Sequence, residues 1–118
     1  MISPNNQSGL QLVTEIQQKE LLVNLILQLN KDFTMVGLDF NLSKESTPNV
    51  VVSYVEIYIL NLIKKDFNSY VNLLYRIGVP EKQVREIKEN DIQTISKKVA
   101  ILILRKEWQK VFFRSRIQ

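Results

Sequence analysis

The chain has 118 residues, 45% hydrophobic and 24% charged, which is enough to bury the core of one globular domain. It contains no cysteine and no histidine, which excludes disulfides and removes the commonest metal ligand and acid–base catalyst at neutral pH. The net charge is +4, and from Lys97 onward seven basic residues accompany a single acid, Glu107. Because the lack of cysteine fits a reducing compartment, we expect a cytoplasmic protein.

The composition favours an all-α fold, since three glycines and three prolines are too few for a β protein with many turns. Residues 1–9 are polar and predict a flexible N-terminal arm. Residues 10–118 then form a single helical domain, which we expect to be a small bundle of three long helices and one short helix. The longest apolar stretch, residues 50–63, is shorter than the roughly 20 residues of a membrane span and contains Glu56, so no span is expected.

The first long helix is predicted from Leu22 to Val36, where apolar residues recur every three or four positions. Gly37 is expected to end this helix, and Leu38 is placed to make the apolar contact of a Schellman cap. A loop over residues 39–46 follows.

The second helix is predicted as one continuous element of about 40 Å. Thr47-Pro48 supplies a capping hydroxyl and then a proline in the first turn. Apolar residues step by three or four over residues 52–77, and Gly78 is the expected stop. A kink is most expected at Asn68-Ser69.

Two further helices complete the predicted domain. A short third helix is expected over residues 80–89, beginning at a proline. Asn90-Asp91 should end it and cap the fourth helix, which is expected to continue to about Arg114.

The outward face of the second helix is unusual because its first half is apolar. Val50, Tyr54, Ile57 and Tyr58 lie opposite the inward stripe at 100° per residue. A helix that is apolar all round is either covered by other helices of its own chain or by a partner. We expect these four residues to form an interface with a second copy or another protein.

The last helix carries two apolar stripes, rotated by roughly half a turn from each other. One helix cannot bury both on one side, so it breaks near Leu104, lies between two layers, or belongs to a chain that is at least a dimer. Trp108 and Phe112 of the second stripe join the predicted interface. The first stripe is Ile92, Ile95, Val99, Leu102 and Ile103, and the second is Ile101, Leu104, Trp108, Val111 and Phe112.

No pattern in the sequence is typical of a catalytic nucleophile, a phosphate-binding loop or a metal centre. Glu56 and Asp66 project near the inward stripe of the second helix, but about 15 Å of helix axis separates them, so they cannot act together. We expect each to pair with a basic side chain or a tyrosine hydroxyl at the rim of the core. The sequence therefore predicts a non-enzymatic protein without a cofactor or a metal.

The basic C-terminal segment makes nucleic acid an alternative partner. Lys106, Lys110 and Arg114 form an i, i+4 ridge, with Arg116 beyond it, and such a ridge can contact phosphates. The competing interpretation is a solvated face whose charges complement the helix dipole.

Residues 73–89 resemble a DNA-binding helix-turn-helix. Leu74 departs from that motif, which needs a small residue at this position. Residues 80–89 carry three bases but also three acids, and phosphates would repel the acids. The segment is also simply a way to connect two helices. The matching apolar and glycine positions are Leu73, Ile77, Gly78, Val79, Val84 and Ile87.

Residues 73–81 and 104–111 resemble stretches in short uncharacterised helical bacterial proteins, a resemblance that implies no activity. The sequence as a whole favours a helical interaction module, either a homo-oligomer or a small subunit of an assembly. The alternative is a nucleic-acid-binding protein that uses residues 73–89 or the basic C-terminal helix.

Overall fold

The computed structural model describes residues 8–16 and 19–117, and every regular element within them is a helix. This confirms the all-α prediction, but six helices replace the expected four. Most of the predicted arm, residues 1–7, lies outside the described residues, while Ser8 and Gly9 already begin the first helix. The helices are α1 (Gly9–Thr14), α2 (Lys19–Met35), α3 (Pro48–Lys65), α4 (Phe67–Ile77), α5 (Glu81–Arg85) and α6 (Ile92–Ile117).

The short helix α1 was not predicted, because six residues are too few to show a helical period. A capping box starts it: Gln11 N–H donates to Ser8 Oγ at 3.1 Å, and Ser8 N–H donates to Gln11 Oε1 at 3.0 Å. Leu12 and Val13 are buried, and they anchor α1 against α3 and α6.

Helix α2 ends with the Schellman cap that the sequence predicted. Gly37 has a positive φ of 83°, a conformation that other residues rarely adopt. Leu38 N–H donates to Phe33 O at 3.1 Å, and Gly37 N–H donates to Thr34 O at 2.9 Å.

The single helix predicted over residues 48–77 is in fact two helices, α3 and α4, separated at Asp66. The start is as expected, since the Thr47 side chain accepts from Val50 N–H. At Asp66 the backbone leaves the helical region, with φ −151° and ψ 73°, and the carboxylate accepts hydrogen bonds from Ser69 N–H and Ser69 Oγ. The spacing of apolar residues continues unchanged through this break. That spacing therefore could not show that the Asp66 side chain competes for the backbone hydrogen bonds of the helix.

Helix α5 spans only residues 81–85 of the ten that the sequence predicted. No side chain caps its first turn, and residues 87–91 are not helical. Asp91 caps α6 as expected, since its carboxylate accepts from Thr94 N–H at 3.1 Å.

Helix α6 is continuous through Leu104 and occupies the centre of the fold. It packs against α1, α2, α3 and α4, so neighbouring helices of the same chain cover both of its stripes. Val99 and Ile103 of one stripe and Leu104 and Val111 of the other are buried. Among the three arrangements left open above, α6 therefore lies between two layers. No helix in the described part of the chain is long and apolar enough to cross a membrane.

Candidate functional site

A cluster of charged side chains lies inside the bundle where α2, α4 and α6 meet. Its two acids, Asp32 and Glu107, have only 2% and 0% of their surface exposed. Full burial of an acid is rare in proteins unless the acid is paired, so this cluster is the chemically most unusual place in the described structure.

Asp32 on α2 accepts three hydrogen bonds from three partners. Arg76 Nε of α4 donates to Oδ1 at 3.1 Å, and Lys110 Nζ of α6 donates to Oδ2 at 2.9 Å. Gln28 Nε2, one turn earlier on α2, also donates to Oδ2 at 2.9 Å. One carboxylate thus joins three helices.

The cluster extends from the core to the surface. The amide of Gln28 is buried, and its Oε1 accepts from Arg114 Nη1 at 2.7 Å. The side chains of Arg76 and Lys110 are about one-third exposed and Arg114 is more exposed, so the cations reach solvent while the two acids do not.

Glu107 has fewer hydrogen-bond donors around its carboxyl group than Asp32 has. Lys110 Nζ lies 2.7 Å from Glu107 Oε1, but at an angle outside hydrogen-bond geometry, so neither oxygen of a charged Glu107 has a hydrogen-bond partner among the described residues. Burial, together with the hydrogen bond that its acid form shares with Asp32, raises the pKa of Glu107 from 4.5 to about 8, against the opposing effect of Lys110.

The same contacts act in the other direction on Asp32. Burial tends to raise its pKa, but hydrogen bonds from Glu107, Gln28 and Lys110 outweigh burial and lower the pKa from 3.8 to about 2. For Lys110, burial favours the neutral amine, yet the two carboxyl groups raise its pKa. At neutral pH the cluster therefore holds a charged Asp32, an ammonium on Lys110 and a neutral Glu107 acid. A charged ammonium is not a nucleophile.

The sequence predicted that Glu56 and Asp66 each pair with a basic side chain or a tyrosine hydroxyl, but the partner of Asp66 is Ser69. Glu56 is half-buried on α3, and Asp66 is an exposed cap whose pKa is lowered by hydrogen bonds from Ser69. Asp32 and Glu107 were missed, although a signal was present. Each lies at an inward angle of its helix, and a charge among apolar neighbours at such an angle suggests a buried partner.

The predicted nucleic-acid contacts are partly used inside the fold. Lys110 and Arg114 point to the buried cluster, as described above, and the guanidinium of Arg116 lies 5.1 Å from the centre of the Phe112 ring. Lys106 Cε lies close to Gly78, since a Cβ on that glycine would be 3.4 Å from it. These four basic residues therefore do not form one continuous ridge whose charges are all available to phosphates.

The aromatic part of the predicted interface is largely covered by the loop after α2. The Phe40 ring packs edge-on against Tyr54 and Tyr58, with centroids 4.9 and 5.3 Å apart. Tyr58 Oη donates to Asp39 O at 3.0 Å, and Asn41 N–H donates to Tyr54 Oη at 3.3 Å. The loop thus accounts for the two tyrosines on the outward side of α3.

The other residues of the predicted interface differ in exposure. Trp108 is buried, and Phe112 is half-buried with its ring centroid 5.7 Å from that of Trp108. Val50 and Ile57 on α3 keep about half of their surface exposed. Only these last two present a large apolar surface to solvent.

A second apolar surface, not predicted from the sequence, lies on α4. Phe67, Val71 and Tyr75 are 57%, 46% and 89% exposed. Their i, i+4, i+8 spacing places them on one side of the helix, and we call them the α4 stripe.

The segment that resembles a helix-turn-helix has the expected turn but a short second helix. Gly78 ends α4 with a φ of 92°, and α5 then has about one and a half turns.

No family model matches this sequence, and no curated protein or solved structure shows significant similarity to it.

Proposed function

We propose that this protein is a non-enzymatic helical interaction module that associates with a second copy of itself through the α4 stripe. The observation that carries the proposal is the exposure of three large apolar side chains, Phe67, Val71 and Tyr75, at consecutive turns of one helix. Exposed apolar surface that is continuous over several residues is typical of protein interfaces.

The order of side chains in the stripe supports a second copy as the partner. Val71 is flanked at equal spacing by an aromatic residue on each side, Phe67 and Tyr75. A two-fold axis through Val71 would place two such helices antiparallel, with each Phe67 ring against the Tyr75 ring of the other copy. Closed two-fold interfaces require this kind of self-complementary surface.

The size of the stripe predicts weak association. Its three side chains expose on the order of 300–400 Å² per copy, at most about half of the roughly 800 Å² that a standard interface buries on each partner. We therefore expect a dissociation constant weaker than about 10 µM for the stripe alone. Val50 and Ile57 provide further exposed apolar surface on α3.

Sedimentation velocity over about 5–500 µM tests this proposal. The wild-type chain should show a sedimentation coefficient that rises with concentration, whereas Val71→Asp should remain monomeric because it places an unpaired charge in the apolar contact. Asn72→Asp is the matched control, since it adds the same charge at the next, exposed position of α4. If Val71→Asp and Asn72→Asp both associate as strongly as the wild type, the stripe is not the interface.

Nucleic-acid binding is the second candidate, and one feature of the structure favours it. Arg76 and Lys110 donate to Asp32, and Arg114 donates to the neighbouring Gln28, so the cluster holds three cations and a single carboxylate charge while Glu107 is neutral. This excess of positive charge is suited to phosphate contacts. Fluorescence anisotropy of a labelled 20-mer at 50 and 200 mM salt provides the test. Binding that Arg76→Gln does not weaken, or that salt does not weaken, would count against this candidate.

A further inference from the structure

We propose that Asp32 and Glu107 together form a binding site for a single proton, and that this proton controls how firmly the C-terminal half of α6 is attached to α2 and α4. This inference is independent of the proposed self-association. It rests on the burial of both carboxyl groups and on the lysine that they share.

The geometry brings the two acids close together. Lys110 Nζ is 2.9 Å from Asp32 Oδ2 and 2.7 Å from Glu107 Oε1, so these two oxygens are within about 6 Å of each other. Two carboxylates at this separation in a buried site cannot both ionise readily, and one of them keeps its proton. Such a pair titrates as a unit rather than as two separate residues.

The hydrogen bonds determine which acid keeps the proton. Asp32 accepts from Arg76, Lys110 and Gln28, all of which favour its charged form. Glu107 has no comparable donors, and both of its oxygens are completely buried. The proton therefore resides on Glu107, which in its acid form can donate to Asp32. The raised pKa of Glu107 agrees with this assignment.

The other helices that pack on α6 do not supply a charge that would replace the proton. α1 contains no titratable residue. α3 carries Glu56, two tyrosines and the exposed Lys64 and Lys65, and α4 carries Tyr70 and the exposed Tyr75. None of these forms an ion pair or a hydrogen bond with Glu107 among the described residues. Arg76 and Arg114 are directed to Asp32 and Gln28.

The direction of the pH effect follows from this arrangement. Because folding raises the pKa of Glu107 above its value in the unfolded chain, the folded state binds the proton more tightly. The resulting stabilisation is complete below about pH 4.5 and is lost as the pH rises to about 8. Release of the proton to solvent leaves two negative charges that share Lys110, and this weakens the attachment of α6 to α2.

The test uses the full chain and two kinds of readout. The ¹³C chemical shift of the Glu107 carboxyl reports its ionisation directly. The single tryptophan of the chain, Trp108, is adjacent and buried, so its fluorescence reports the local packing. We expect both to change with one midpoint close to pH 8. Urea denaturation should show an unfolding equilibrium constant that rises about tenfold per pH unit between pH 5.5 and 7.5.

Glu107→Gln and Glu56→Gln form the matched pair of variants. The amide that Glu107→Gln introduces keeps the size and the donor of the protonated acid, so this variant should fold and should lose the tenfold dependence. Glu56→Gln makes the same change on a half-buried residue of α3, and this variant should keep the tenfold dependence of the unfolding equilibrium constant on pH. A Glu107 carboxyl midpoint below pH 6.5 would overturn the proposal, as would identical pH profiles for the wild type and Glu107→Gln. The NMR midpoint decides the question even if the variant does not fold.

Discussion

Replacing Asp32 by asparagine tests whether the buried cluster stabilises the fold. The variant keeps the shape of the side chain but removes its charge. Its amide oxygen can accept from only part of the present set of donors, which are Arg76, Lys110 and Gln28. The amide nitrogen would then face a cation that it cannot bind.

The expected cost can be estimated from the exposure of the partners. Breaking a buried ion pair by removing one member typically costs 3–5 kcal/mol. Arg76 and Lys110 are about one-third exposed and can recover part of their hydration, so the lower end of this range applies, about 3 kcal/mol. This is a large fraction of the roughly 5–15 kcal/mol that stabilises a typical domain.

Urea denaturation at pH 7, followed by circular dichroism at 222 nm and by Trp108 fluorescence, measures this loss. The midpoint should fall while the slope remains unchanged, because the change affects stability and not the surface exposed on unfolding. Asp39→Asn makes the same substitution in the exposed loop and should cost less than about 0.5 kcal/mol. A loss below about 1 kcal/mol for Asp32→Asn would refute the reasoning.

Two further substitutions test the loop that covers α3. Gly37→Ala should destabilise the protein by about 1 kcal/mol, because its φ of 83° is unfavourable for any residue with a Cβ, although nothing lies within 4 Å of that position. An unchanged thermal midpoint would contradict this. Tyr58→Phe should cost about 1 kcal/mol in urea denaturation, because it removes the hydrogen bond to Asp39 O and keeps the ring contacts with Phe33 and Phe40. An unchanged urea midpoint for Tyr58→Phe would show that the hydroxyl does not act as described.

Local signals in the sequence predicted the ends of several helices correctly. The Gly37 cap, the start at Thr47-Pro48 and the Asp91 cap each depend on residues within four positions of one another, so the sequence contains all the information they need. The break at Asp66 is also local, but the uninterrupted apolar period hid it.

The candidate site could not be predicted in the same way because its parts are far apart in the chain. Asp32 meets Lys110 and Arg76 only after three helices have packed. What the sequence does offer is the inward position of Asp32 and Glu107. The apolar outward face at Tyr54 and Tyr58 was noticed correctly, but the sequence did not show that Phe40 and its loop cover it.

Cysteine cross-linking through the α4 stripe tests self-association most directly. The chain has no cysteine, so Val71→Cys introduces a single thiol at the expected two-fold axis. There the Cα atoms of the two copies should come within the roughly 4.4–6.8 Å that a disulfide requires. Under mild oxidation at about 100 µM, Val71→Cys should form a covalent dimer much faster than Asn72→Cys, which carries its thiol on the neighbouring exposed position of the same helix. Equal and slow cross-linking of the two variants would contradict self-association through this surface.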